Sequence, residues 1–310
     1  MRTALLLAAL AMATPAAAQP APEPDSDDIV VTGDRQIQEA IQEFVRVFSG
    51  PVGDTDPIAK FDAAPVCPIA LGLRPERNAE IAGRVRRVAQ AAGMELAPRP
   101  DCLANVLILF TRDKEEMLRV LRRRYGTLFD DSTDTALRSR RAAGPVAAWH
   151  VERMVDRYGV AIGQNEGSYA VYSSNETPSR ISAAVRRVTV ASVVIIELNS
   201  LVGLTTTQIA DYAAMRAFTK VDPRRAARLA APTILSAIEA PTGTMVPITL
   251  TPWDMNYLRA LAAVEPMHYG HRQRSSIRTQ MLNELQNGAE AGDEPPSGEP
   301  PAARVPAPRP

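Results

Sequence analysis

The chain has 310 residues, with 35 basic and 35 acidic side chains, 45% hydrophobic residues and 5% aromatic ones. Balanced charge gives no global attraction to nucleic acid or to an acidic membrane surface, and so few aromatics do not make a stacking platform for bases or sugars. A chain of this length forms one large domain or two small ones.

The first residues, MRTALLLAALAMATPAAAQ, place one Arg before a short apolar run and a small-residue Ala16-Ala17-Ala18 site. That is the order of a secretory signal peptide, and the run falls short of the ~20 apolar residues that cross a bilayer. The expectation is residues 1–18 as signal peptide, with cleavage near Ala18 and a periplasmic or secreted product. Residues 19–33 and 288–310 are rich in Pro and acidic or small residues and read as a disordered linker and a disordered tail. Residues 34–287 read as a single α+β domain, with 34–187 and 188–287 as a further division into lobes. No later stretch reads as a membrane span; the most apolar, Val188–Leu204, is interrupted by Glu197 and Asn199.

In chain order, Ile37, Ile41, Phe44, Val45 and Phe48 fall at helical spacing over Asp34–Ser49, and Gly50-Pro51 ends that helix. The two cysteines, Cys67 and Cys102, suggest a disulfide in an exported chain, whose loop would contribute about 4 kcal/mol by chain entropy. Free thiols or metal ligands are the alternative, although two Cys without paired His make a poor zinc set. Pro75 opens a helix with Ile81, Val85, Val88 and Ala92 inward and Arg84, Arg86 and Arg87 largely outward, and Gly93 stops it. Asn105–Thr111 reads as a buried strand, and Asp113 with Glu116 caps a helix reaching about Tyr125. The Arg122–Arg124 and Arg138–Arg141 clusters read as a solvated helix end and loop. Pro145–Val155 and Tyr169–Ser173 read as strands around a GQNEG turn. Val188–Leu204 begins as a strand and becomes a helix that carries Glu197 and closes at Gly203. Thr205 with Gln208 caps a helix through about Phe218. Asp222-Pro223 and Ala231-Pro232 start two further helices, and Thr251-Pro252 starts a last core helix through about Ala263. Strands among early helices, then a mostly helical second half, argue α+β.

One segment bears on chemistry. Ile196-Glu197-Leu198-Asn199-Ser200-Leu201-Val202-Gly203 matches the Glu and Gly of the zinc-protease pattern H-E-x-x-H-x-x-G. In that pattern two His, one helical turn apart, hold Zn²⁺, and the Glu acts as general base on metal-bound water. Ile196 and Ser200 occupy the two His positions here, and Thr206 occupies the third ligand position of the longer motif. The segment resembles the active-site helix and following turn of the zincin metallopeptidases, the metzincin type especially. Gly243–Ala262, GTMVPITLTPWDMNYLRALA, resembles the later stretch of those enzymes, with Met245 matching the Met-containing turn and Leu250, Thr251 and Asp254 the start of the C-terminal helix. The resemblance implies a zincin-like α+β fold, a mixed sheet with an N-terminal helix and a mostly helical second half. It also implies a metal site without its ligands, in which Glu197 is vestigial. Against it stands a plainer reading, in which Glu197 is a partly buried carboxylate paired with Arg186 or Arg187, or a solvent-facing one.

The chain has three His, at 150, 268 and 271. His268 and His271 read as a surface pair, and His150 as a packed strand residue. Trp149, Trp253 and Tyr257 read as core before groove. No G-x-S-x-G elbow or Gly-rich phosphate loop occurs. The resulting expectation is an exported, inactive zincin-like scaffold of the cell envelope. It needs no cofactor and binds a peptide or envelope protein. Two alternatives stand beside it: an active secreted hydrolase using Glu197 with zinc, and a purely structural envelope protein.

Overall fold

A computed structural model describes residues 26–50, 53–99, 101–129, 137, 144–162, 175–241 and 244–292. The expected signal peptide, the Tyr169–Ser173 strand with its GQNEG turn, and the Arg138–Arg141 cluster lie outside these residues. The chain divides into two units, Met1–Gln36 and Ile37–Pro310. The described part of the first is the opening of helix α1 (Ser26–Phe48), which begins earlier than the Asp34 start expected. No Pro follows Pro24 until the helix has ended, so nothing blocks this earlier start.

The second unit is α+β. Four strands, β1 (Pro68–Leu71), β2 (Val106–Thr111), β3 (Val146–Val155) and β4 (Arg186–Glu197), form one mixed sheet in the order β1-β2-β4-β3. β1, β2 and β4 run parallel, and β3 runs antiparallel along β4 with a bulge between Val151 and Glu152. Among the described residues the helices named after α1 are α2 (Pro75–Ala91), α3 (Lys114–Arg124), α4 (Thr206–Phe218), α5 (Pro223–Ala226), α6 (Ser236–Glu239), α7 (Pro252–Ala263) and α8 (Gly270–Gly292).

Side-chain alternation explains the layering. Val106, Ile108 and Phe110 of β2 and Val194 and Ile196 of β4 join a large core with α2, α4, α7, α8 and the end of α1. The intervening Leu109, Val193 and Ile195 point the other way, into a smaller core with Leu118 and Leu121 of α3 and Trp149 of β3. A strand covered on both faces has no polar face to display, so its sequence is a continuous apolar run. That is why Val193–Leu198 suggested a helix. The expected helix at Glu197 is therefore corrected: β4 runs through Glu197, and a 3₁₀ turn, Leu198–Leu201, follows.

The helix starts read from sequence hold at α2, α4, α5 and α7. Thr205 with Gln208 and Thr251 with Asp254 make reciprocal capping boxes, and Pro75, Pro223 and Pro252 occupy the first turns. Ala231-Pro232 differs: the chain turns at Ile234-Leu235 before α6 begins. β1 and α8 have no counterpart in the sequence reading. Arg84, expected outward, turns in to Asp211, which has no exposed surface, with Nε donating to Oδ1 at 2.7 Å and Nη2 to Oδ2 at 3.0 Å. Thr249 Oγ1 and the Leu250 amide also donate to Asp211 Oδ2, at 2.6 and 3.0 Å. This one carboxylate thus joins α2, α4 and the loop before α7. Trp149 and Tyr257 are core residues, and Trp253 packs against the core on Phe44.

Cys67 and Cys102 are joined, with a sequence separation of 35. They precede β1 and β2, so the bond fixes the entry of two paired parallel strands. Asn105 helps: its Oδ1 accepts from the Cys67 amide at 2.8 Å. Replacing both cysteines by Ala should lower unfolding stability by about 4 kcal/mol. Urea titration of oxidised wild type against the double variant measures this, and coincident curves would contradict it.

Candidate functional site

Glu197 ends β4 opposite Thr111, the last residue of β2, at the carboxyl edge of the parallel strands. α3 starts just past that edge. Its N-cap Asp113 accepts from the Glu116 amide at 2.9 Å, and Thr111 Oγ1 accepts from the Asp113 amide at 3.2 Å. Glu197 Oε1 accepts from the Lys114 amide at 3.1 Å. The first amides of a helix lack intrahelical acceptors and carry partial positive charge. Two carboxylates, Asp113 and Glu197, thus supply acceptors to the first turn of α3. The Lys114 side chain is buried and its Nζ donates to Gly144 O at 2.5 Å. The Glu197 amide donates to Pro145 O at 2.9 Å. Glu197 therefore ties together β4, α3 and the entry to β3. Arg186, offered as its partner from sequence, instead pairs with Asp62 at 2.9 Å.

The other motif positions have local duties. Ile196 is fully buried in the large core. Ser200 Oγ donates to Glu197 O at 2.7 Å and closes the 3₁₀ turn. Gly203 has φ +84°, a left-handed conformation that Gly adopts without a side-chain clash, which accounts for its place in the turn before α4. Thr206 opens α4, and its Oγ1 accepts from Arg77. Met245 is 97% exposed. It lines an apolar cleft of about 460 Å³ with Ala231, Pro232, Pro241 and Pro247, and neither Glu197, Ser200 nor Thr206 lines that cleft. The structure therefore groups Ile196, Glu197 and Ser200 as neighbours along one strand end and turn, and sets Met245 in a separate surface feature.

The histidines are also accounted for. His150 Nε2 donates to Ala217 O at 2.9 Å in the last turn of α4. Part of the residue remains exposed, but the ring is enclosed. Burial first, then the Lys220 cation, push its pKa down to about 3, while the bond to Ala217 opposes them. His268 bridges to Ser182, and His271 Nδ1 donates to Asp54 O at 3.0 Å. Among the described residues no three His, Cys, Asp or Glu side chains group as metal ligands.

Sequence reasoning missed a second cavity, of about 400 Å³, between α1 and α8, lined by Gln42, Arg46, Asp54, His271, Arg274 and Arg278. Its signal was present but unread: His271, Arg274 and Arg278 lie three and four residues apart, the spacing of one helix face. No family model, curated protein or solved structure matches this chain.

If Glu197 works as an acceptor for α3, Glu197→Ala should destabilise the fold by about 1 kcal/mol in urea unfolding, and Glu197→Gln by less. A neutral effect of Glu197→Ala would contradict that role. His150 gives a pH signature. The unfolded imidazole titrates near 6.5, the folded one near 3, so the unfolded chain takes up the proton first. Its contribution is complete above 6.5 and is lost as pH falls from there toward 3. His150→Gln should flatten the stability–pH curve in this window by up to ~1.4 kcal/mol per pH unit.

Proposed function

We propose that this chain is an exported cell-envelope protein that binds a peptide or protein and performs no metal-dependent hydrolysis. The observation that carries this reading is the Glu197 carboxylate, engaged at 3.1 Å by the first amide of α3 at the end of a strand. A general base must reach the proton it removes, and a carboxylate committed to a helix terminus is poorly placed for that. The zincin resemblance contributes the idea of a scaffold without its ligands. A strand and a 3₁₀ turn stand where that family carries its metal-binding helix. Export is supported by the signal-like N-terminus and by the disulfide, which suits an oxidising compartment.

The apolar cleft supports binding. Met245, 97% exposed, lines the cleft with small Ala and rigid Pro residues, and Ile248, three residues on in sequence, is 79% exposed. Exposed apolar surface next to a concavity suits an extended peptide, and the flexible Met thioether adapts to irregular side chains.

The test uses the mature full-length chain, loaded with Zn²⁺, dialysed and mixed with a reduced, carboxymethylated polypeptide. The expected result is no stoichiometric zinc and no cleavage, with saturable binding that Met245→Asp weakens. One tightly held zinc per chain, with cleavage abolished by Glu197→Gln, would establish the hydrolase instead.

A further inference from the structure

The apolar cleft beside Met245 has no charged side chain among its lining residues, yet one of its walls carries a basic pair. That wall comes from α5 and the turn after it. The Arg228 amide donates to Arg225 O at 3.2 Å, and the Leu229 amide to Ala226 O at 3.1 Å. Side chains three residues apart in such tight turns fall on one side. The turn therefore groups Ala226 with Leu229, which both line the cleft, and Arg225 with Arg228, which are both exposed. Along the chain Arg228 stands directly between the lining residues Ala227 and Leu229. Two guanidiniums thus sit together at the rim. The acids nearest in sequence are engaged elsewhere. Between Pro223 and Trp253 there is one acid, Glu239. Its side chain is 12% exposed and accepts from Tyr212 Oη at 2.7 Å beside Arg216. Asp222 accepts from the Arg224 amide at 3.1 Å as the N-cap of α5. The Glu43 carboxyl of α1 is held below its ordinary pKa first by its bond to Arg46, at 2.8 Å, and in lesser part by the nearby Arg225 charge. Neither Arg225 nor Arg228 makes an ion pair or a side-chain hydrogen bond with another described residue. A ligand in the cleft therefore meets an apolar floor and a positive rim.

We propose that the cleft takes an apolar peptide segment flanked by acidic side chains, with Arg225 and Arg228 as its charge-selective rim. This rests on the peptide reading of the cleft and adds the sign of the partner's charge. The apolar side chains pack against Ala226, Leu229 and Met245, and the flanking carboxylates meet the guanidinium forks, whose paired N–H groups match carboxylate oxygens. Charges at the rim of a contact set partner choice and encounter rate more than affinity. A second copy of this chain is a poor occupant, because a twofold contact through this face brings a second basic pair to the same rim.

The experiment titrates the mature full-length chain into three fluorescent, end-blocked peptides that share one Leu/Val centre and carry Asp, Ser or Lys on both flanks. Wild type should bind the Asp peptide about fivefold more tightly than the Ser peptide, and the Lys peptide most weakly, with the spread shrinking as salt is added. Arg225→Ser combined with Arg228→Ser should bind the Asp and Ser peptides alike while keeping the wild-type affinity for the Ser peptide. Met245→Ser should weaken all three. Both arginines are exposed, so thermal midpoints of the rim variants should match wild type. The salt dependence of the wild-type preference tests the rim without any variant. Equal binding of the Asp and Ser peptides by wild type would overturn the charge selection and leave the apolar cleft standing. Binding of none of the three would remove the cleft reading itself. A concentration-dependent dimer abolished by Met245→Asp would make a second copy the occupant and overturn the proposal.

Discussion

The fold rests on one strand that must be dry on both sides. Val193, Ile195, Val194 and Ile196 of β4 are all fully buried, the first two beneath α3 and the last two beneath the main helical layer. Each such side chain contributes roughly 1.5–3 kcal/mol by leaving water, so this short stretch anchors both cores at once. The cost comes at its end. A buried strand that delivers a charged residue to the sheet edge needs a partner there, and Glu197 finds it in the first amide of α3. The helix in turn gains an acceptor for an otherwise orphan donor. The carboxylate that looks catalytic in the linear sequence is thus explained by the junction of a strand end and a helix start.

The same logic recurs where long, irregular connections meet helices. Among the described residues from Thr219 to Thr251 there are two short helices, and two buried carboxylates hold this stretch. Asp211 takes the Thr249 hydroxyl and the Leu250 amide while paired with Arg84. Asp254 takes the Thr233 hydroxyl at 2.7 Å and the Ile234 amide at 2.8 Å, besides capping α7. Burial raises the Asp254 pKa, and these hydrogen bonds pull it back down. At the other end of α7, the buried Lys60 ammonium donates to Ala262 O and Val264 O, answering the helix's terminal carbonyls. Between the two clamped ends lies the segment that forms the apolar cleft. Met245 and Ile248 can stay exposed because the backbone around them is fixed from below by polar contacts rather than by their own burial.

How much of this was legible in the sequence depends on the range of the interaction. Helix starts were legible because a cap acts over three residues: Thr205 with Gln208, Thr251 with Asp254, and Pro75 and Pro223 all meant what they said. The disulfide was legible because there were only two cysteines to pair. β4 was legible only at its start, read as a strand from Val188; its second half was not, because a strand buried on both faces loses the two-residue alternation that marks a strand, and Val193–Leu198 then fits a helix equally well. β1 was too short to show a pattern, and α8 too polar, with its apolar contacts reduced to Ile277, Met281 and a few partly buried neighbours. The Arg84–Asp211 pair spans 127 residues, and the basic cavity joins α1 to α8. The pair has no local signature, and of the cavity only the spacing of His271, Arg274 and Arg278 along one helix face is local; folding alone brings Gln42 and Arg46 beside them.

Glu197 closes a strand and not a metal-binding helix. Backbone carbon chemical shifts of Val193–Ser200 in the intact protein test it most directly. Extended-strand shifts are expected from Val193 through Ile196, changing only at the turn after Glu197. Continuous helical shifts across Ile196–Ser200 would contradict it.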